Sequence, residues 1–321
     1  VPLNFLDLHA SYRQSFSNTI QQEKHVLRIG LFLATNVAIL FLFTVIFQVL
    51  GLEQYLATQG IHNDMTSLLI MCAFFGFAGS FISLLLSKFM AKRGTGTQII
   101  TEPANDQERW LIQTVAELAK KANIDMPEVG IFPAQQSNAF ATGWNKNKAL
   151  VAVSAGLLQR FEQDEARAVL AHEIGHVANG DMVTLTLIQG VVNTFVMFFA
   201  RIIGSFVDKA VFKNDRPGIG YFVIVMVLQV VLGILASTIV MAFSRWREYR
   251  ADVAGATLAN RSGMIAALRR LQAESQAQIP SELPDTLTAL GISSGFKKHA
   301  SKLWMSHPPL EQRIEALQRG I

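Results

Sequence analysis

The stretch VLAHEIGHVANGD, Val169 to Asp181, places two histidines and a glutamate within five residues. On a helix His172 and His176 are one turn apart and face the same way, with Glu173 beside them, so the three can share one metal ion. Neutral imidazoles on adjacent turns suit a tetrahedral zinc, one per chain. Glu173 is too close in sequence to be a comfortable third ligand and is placed instead to take a proton from zinc-bound water. Zinc lowers the pKa of such a water to about 7, which makes hydrolysis of a peptide carbonyl the natural reaction. A lone histidine is usually structural. Two at this spacing, preceded by Gln163, Asp164, Glu165 and Arg167 and followed by Asn179 and Asp181, favour metal.

A catalytic zinc needs a third protein ligand and an open position for water. The best supply is EYRAD, where Glu248 and Asp252 stand four apart on one helical face. Glu248 can complete a His2Glu set, and Asp252 can accept a hydrogen bond from the far nitrogen of a ligand histidine, most plausibly His172. Read alone, the same residues could be a solvated charged face; the histidine motif reverses that preference.

The elements that must hold these residues are mostly apolar. Of 321 residues, 50% are hydrophobic and 16% charged, against roughly a quarter charged in globular chains. Four stretches lack any Asp, Glu, Lys or Arg: Ile29–Leu52, Met65–Ser87, Met182–Ala200 and Pro217–Ser244. A spanning helix needs about 20 apolar residues, so four hydrophobic helices are expected, the third weaker because it carries Gln189 and Asn193. The first run starts far from the terminus and lacks a small-residue cleavage site, which reads as a retained anchor rather than a removed signal. Glu53–Asp64 holds two acids and no Lys or Arg, whereas Lys24, Arg28, Lys88, Lys92 and Arg93 flank the first pair of runs. The positive-inside rule then puts both ends of that hairpin in the cytoplasm. Arg245, Arg247 and Arg250 agree, while Arg201, Lys209, Lys213 and Arg216 between the last two runs disagree mildly.

The net charge of +4 and pI near 9.2 point to anionic lipid headgroups of the bilayer rather than nucleic acid, because the basic residues adjoin apolar runs. The single cysteine, Cys72, excludes an internal disulfide framework and reads as a small buried hydrophobe. Between the hairpins, NDQERWLIQTVAELAKKANI has the period of an amphipathic helix capped near Asn105 or Asp106. PEVGIF and the pair NAFATGW and KALVAVS read as short strands, the pair forming a hairpin. The motif helix is expected from Gln163 to Asn179, ended by Gly180. After Arg245 two helices with a break near Arg261–Gly263, a variable stretch to Lys298 and a last amphipathic helix complete the chain.

The expected domains are a polar extension (1–25), a transmembrane hairpin (26–93), a cytoplasmic protease part with the motif helix (94–181), a second hydrophobic hairpin (182–244) and a cytoplasmic C-terminal part (245–321). If His172, His176 and Glu248 share an ion, the chain between them crosses the membrane an even number of times.

From about Leu27 onward the sequence resembles the HtpX family of membrane zinc metalloproteases, related to the Ste24 CAAX prenyl protease and Oma1 group. The resemblance is carried by RIGLFLATN, NAFATG, HEIGHVANGDMVTLTLIQGVVNTF, SRWREYRAD and HPPLEQRIEAL. It implies zinc ligands at His172, His176 and Glu248, Glu173 as general base and a mainly α membrane protein with a gluzincin-like protease domain and a small β-sheet. It further implies a bacterial inner-membrane location and degradation of damaged or misassembled membrane proteins, often under stress. Nothing carries over to residues 1–25. Asn138, Ala139, Phe140, Ala141 and Thr142 look like an edge strand whose backbone can pair with an extended substrate. His307 and Arg313 could donate to the oxyanion of the reacting carbonyl.

Two other classes compete. A site-2 type protease would bury its HExxH inside a spanning helix, against which stand the charges from Asp164 to Arg167. A silent scaffold with structural zinc would normally offer four protein ligands, often cysteines. Polypeptide substrates and the bilayer are the expected partners; oligomeric state leaves no mark in the sequence.

Overall fold

A computed structural model describes residues 65–208, 218–276 and 307–320. The first apolar run, the N-terminal extension, the connection with Lys209 to Arg216 and the stretch to Lys298 lie outside the described residues.

In chain order the elements are α1 (Met65–Thr95), β1 (Gln98–Ile99), α2 (Asp106–Lys121), β2 (Glu128–Phe132), β3 (Ala139–Thr142), β4 (Leu150–Ser154), α3 (Ala155–Arg160), α4 (Gln163–Asn179), α5 (Asp181–Val207), α6 (Ile219–Leu258), α7 (Arg261–Gln276) and α8 (Leu310–Arg319). The protein is mainly helical with one small mixed sheet. Three of the helices, spanning Ser67–Thr95, Asp181–Val207 and Ile219–Leu258, are long and apolar enough to cross a membrane. They match the second, third and fourth apolar runs. Their outward side chains are apolar, among them Phe74, Phe206 and Ile219, a surface suited to lipid rather than water.

The sheet runs in the order β1-β2-β4-β3, with β2 and β4 parallel and the outer pairs antiparallel. β3 and β4 form the expected hairpin, in register Phe140 to Ala152, and β3 lies at the edge. Because side chains alternate across a strand, the sheet has two covered faces. Val129, Ala139, Ala141, Val151 and Val153 join a core with Leu111, Val115 and Leu118 of α2, Ile174 of α4, Leu268 of α7 and Leu317 of α8. Phe132, Phe140, Leu150 and Ala152 meet Ala91 near the end of α1. Each large apolar side chain so buried contributes about 1.5–3 kcal/mol.

Caps fix where helices begin. Asn105 caps α2 by accepting the Glu108 N–H at 2.8 Å, and the Glu108 carboxylate accepts the Ala104 N–H in return. At the head of α4 the Glu165 carboxylate accepts the Glu162 N–H at 3.0 Å. One boundary differs from the expected one. The break after α6 falls at Ala259 and Asn260, and Arg261 to Gly263 form the first turn of α7. Asn260 supplies the reason: its Oδ1 accepts the Gly263 N–H, the N-terminal capping role of asparagine. The break thus falls one to two residues before the Arg261–Gly263 stretch where it is expected.

Candidate metal centre

α4 carries both histidines and packs between the sheet and α6; it is not among the three long apolar helices. Its passage to α5 turns on Gly180, whose φ of 67° is left-handed backbone that glycine adopts freely. α6 arrives beside α4 at very close range. A Cβ on Gly175, between the two histidines, would lie 2.6 Å from the Ala254 Cβ, so the lack of a side chain there lets the two helices close. α6 is continuous from the apolar run into EYRAD, so one rigid rod delivers Glu248 to the histidines.

His172, His176 and Glu248 are buried and each offers a ligand atom within 4.8 Å of the others. His172 Nε2 is 3.6 Å from one Glu248 oxygen and His176 Nε2 is 3.3 Å from the other. The far nitrogens also meet carboxylates: His172 Nδ1 lies 3.0 Å from Asp252 Oδ1, and His176 Nδ1 lies 2.7 Å from Asp181 Oδ2. A carboxylate on the far nitrogen fixes ring orientation and raises ligand basicity. The Asp252 placement agrees with the pairing expected from sequence. The Asp181 placement was not foreseen, although the signal was present: an aspartate immediately past the helix-ending glycine is thrown back toward the histidine one turn earlier.

Arg313 of α8 is fully buried and bidentate on Asp252, Nε to Oδ2 at 2.8 Å and Nη2 to Oδ1 at 2.6 Å. Its remaining Nη1 is 3.5 Å from Glu248 Oε2. His307 Nδ1 is 2.8 Å from the same Glu248 oxygen. Both residues expected from HPPLEQR thus reach the cluster, Arg313 chiefly through Asp252. Asn138 to Thr142 occupy the edge of the sheet on which α4 packs, with the Asn138 carbonyl accepting the Ser154 N–H.

The electrostatics are those of a crowded buried cluster. Burial opposes charge on His176, yet the facing Glu248 and the hydrogen bond to Asp181 carry its pKa up to about 9. Burial likewise opposes charge on His172, and its contacts with Asp252 and Glu248 overcome that and raise it. Burial raises the Glu173 carboxyl above the ordinary carboxylate value, against the pull of the two histidines. Arg313 is held charged despite burial by Asp252. Among the described residues, His172 Nε2, Glu173 Oε2 and both Glu248 oxygens make no hydrogen bond of good alignment, the approaches to Glu248 being ion-pair contacts. Buried polar atoms are normally satisfied, and these four, from one imidazole and two carboxylates, form together with His176 Nε2 a donor set that fits a divalent cation.

Such a cluster on a small sheet beside apolar helices defines a membrane metalloprotease. The sequence pattern of peptidase family M48 matches residues 105–321, and the chain belongs to that family, in its HtpX branch. It is 64% identical over 295 residues to Protease HtpX of Ectopseudomonas mendocina, covering 92% of this chain and 99% of that one. Identity to Protease HtpX of Cellvibrio japonicus is 62% over 294 residues, 91% and 98% of the two chains. Among solved structures, that of S. mikatae Ste24p is similar with a TM-score of 0.57 at 20% identity, over 86% of this chain and 64% of that chain. That last likeness is one of fold.

Proposed function

We propose that this metalloprotease is a zinc endopeptidase of the bacterial inner membrane, hydrolysing peptide bonds of damaged or misassembled membrane proteins at the cytoplasmic face, in a stress-linked quality-control role. The observation that carries the chemistry is the convergence of His172 Nε2, His176 Nε2 and Glu248 on one point, with a carboxylate behind each histidine.

His172, His176 and Glu248 would hold the metal. Bound zinc supplies a Lewis acid for the substrate carbonyl and lowers the pKa of a coordinated water to about 7. Glu173 takes the proton from the attacking water and returns it to the leaving amine. Asp252 and Asp181 hold the imidazoles in their ligating orientation. His307 and the Nη1 group of Arg313 would donate hydrogen bonds to the charge developing on the carbonyl oxygen. The edge strand Asn138 to Thr142 aligns an extended substrate by backbone pairing.

Two variants purified in detergent test this. Glu173→Gln should keep about one zinc per chain and lose roughly 10²–10⁴-fold in cleavage of an unfolded or membrane-protein substrate. Glu248→Ala should instead lose the metal itself, as read by elemental analysis. Retained cleavage in the first variant would remove Glu173 as base, and wild type without zinc would remove the zinc reading.

A further inference from the structure

Two arginines are buried among the described residues, Arg313 and Arg247. The first is neutralised by the Asp252 carboxylate. The second is not. Arg247 is 3% exposed, its Nη2 donates to the Ser244 Oγ at 3.3 Å, and its Nε and Nη1 have no partner among the described residues. A guanidinium cannot shed its charge, and a buried charge without a counterion is costly. A chain that keeps one beside its active site keeps it for something that arrives.

We propose that Arg247 is an anion-binding subsite of the cleft, taking the carboxylate of an acidic substrate side chain within a few residues of the cut bond. The inference rests on the reading of the neighbouring cluster as a peptide-hydrolysing site. Arg247 precedes Glu248 in the chain, so their Cα atoms are about 3.8 Å apart. Helical side chains lean toward the N-terminus, and the bond to Ser244 has that direction, toward the apolar part of α6. The free donors therefore lie on the side of the proposed metal ligands that faces the apolar stretch of α6. The planar fork of a guanidinium matches a carboxylate bidentately.

A substrate is favoured over a lipid headgroup by what the outer face of the same turn carries. Trp246 is exposed there, with the Arg250 guanidinium 4.8 Å from its ring centroid, the aromatic and cationic pair that meets headgroups. Arg247 is turned away from that face and buried.

The test uses the full-length zinc-loaded protein in detergent and matched unfolded substrates carrying Glu or Gln at each position flanking the mapped cut. Wild type should prefer Glu at one of these positions by roughly tenfold or more. Arg247→Met should bring that ratio to about one while unfolding at the same or a higher temperature, since it removes an unpaired buried charge. Arg247→Lys, which keeps charge but not the fork, should retain part of the preference. Absence of a Glu preference in wild type, or a preference that survives in Arg247→Met, overturns the subsite. A lower unfolding temperature with equal loss on both substrates makes Arg247 structural. Cleavage in vesicles that tracks the anionic lipid fraction only when Arg247 is present assigns it to a headgroup instead. If wild type cuts neither substrate, the peptidase reading fails first and this one with it.

Discussion

At the scale of single residues, the site is organised as a chain of buried contacts running away from the candidate metal centre: His172 to Asp252 to Arg313. Each link is buried, so each depends on the next. Removing Arg313 strands Asp252 as an uncompensated anion, a loss of about 3–5 kcal/mol. Arg313→Ala should therefore lower the unfolding temperature in detergent by roughly 10 °C, at roughly 2–4 °C per kcal/mol for a body of this size. It should also weaken zinc binding by roughly 10–100-fold, because the carboxylate behind His172 loses its orientation. Arg313→Lys, unable to reproduce the bidentate grip, should fall between. Metal titration and thermal unfolding read the two effects separately; unchanged values in both would show that the contact is incidental.

At the scale of elements, what could be read from sequence was whatever depends on local spacing. The histidine pair, the cap at Asn105, the β3 and β4 hairpin and the stop at Gly180 are all set by residues within one or two turns, and the structure places them as read. Two things were not legible. One was the contact of Asp181 with His176, for which the only signal is an aspartate just past the helix-ending Gly180, since the period of α4 stops at that left-handed turn. The other was the dependence of close helix approach on small residues, which only the packing partner reveals. Gly175 against Ala254 lets Glu248 approach the two histidines, and Gly76 of α1 allows a similarly close approach of α1 and α5. A Cβ on Gly76 would lie 2.8 Å from the Thr194 N and 2.9 Å from the Gly190 O, both backbone atoms that cannot yield. Gly79, one turn on, has nothing within 4 Å. Gly76→Ala should thus force the two helices apart and cost about 1–3 kcal/mol. Gly79→Ala should be neutral or stabilising by up to about 1 kcal/mol. Thermal unfolding in detergent distinguishes them, with zinc content unchanged in both; equal effects would mean that α1 and α5 are not held at this seam.

At the scale of the whole molecule, everything chemical sits at one end of the apolar helices. The C-terminal end of α1 is tied to the sheet through Lys88 and Lys92, which pair with Glu128. α5 begins at Asp181 behind His176, and α6 reaches Glu248 only after its apolar stretch. From Ile219 to Glu248 α6 rises roughly 44 Å at about 1.5 Å per residue, enough to pass through a hydrocarbon core of about 30 Å. α5 and α6 are both long and apolar enough to cross a membrane, so an even number of crossings between His176 and Glu248 is compatible with their lengths. The proposed cytoplasmic placement of that end follows from Lys88, Lys92 and Arg93 in the last turns of α1 and is open to a labelling test. With Cys72 replaced by Ala, a single cysteine at Glu102, exposed beyond β1, should resist an impermeant maleimide in spheroplasts and react once the membrane is opened. A single cysteine at Ile219, 85% exposed at the far end of α6, should react at once. The reverse pattern would place the metal ligands outside the cell and would move the substrates from cytoplasmic segments of membrane proteins to external ones, with the chemistry at His172, His176 and Glu248 untouched.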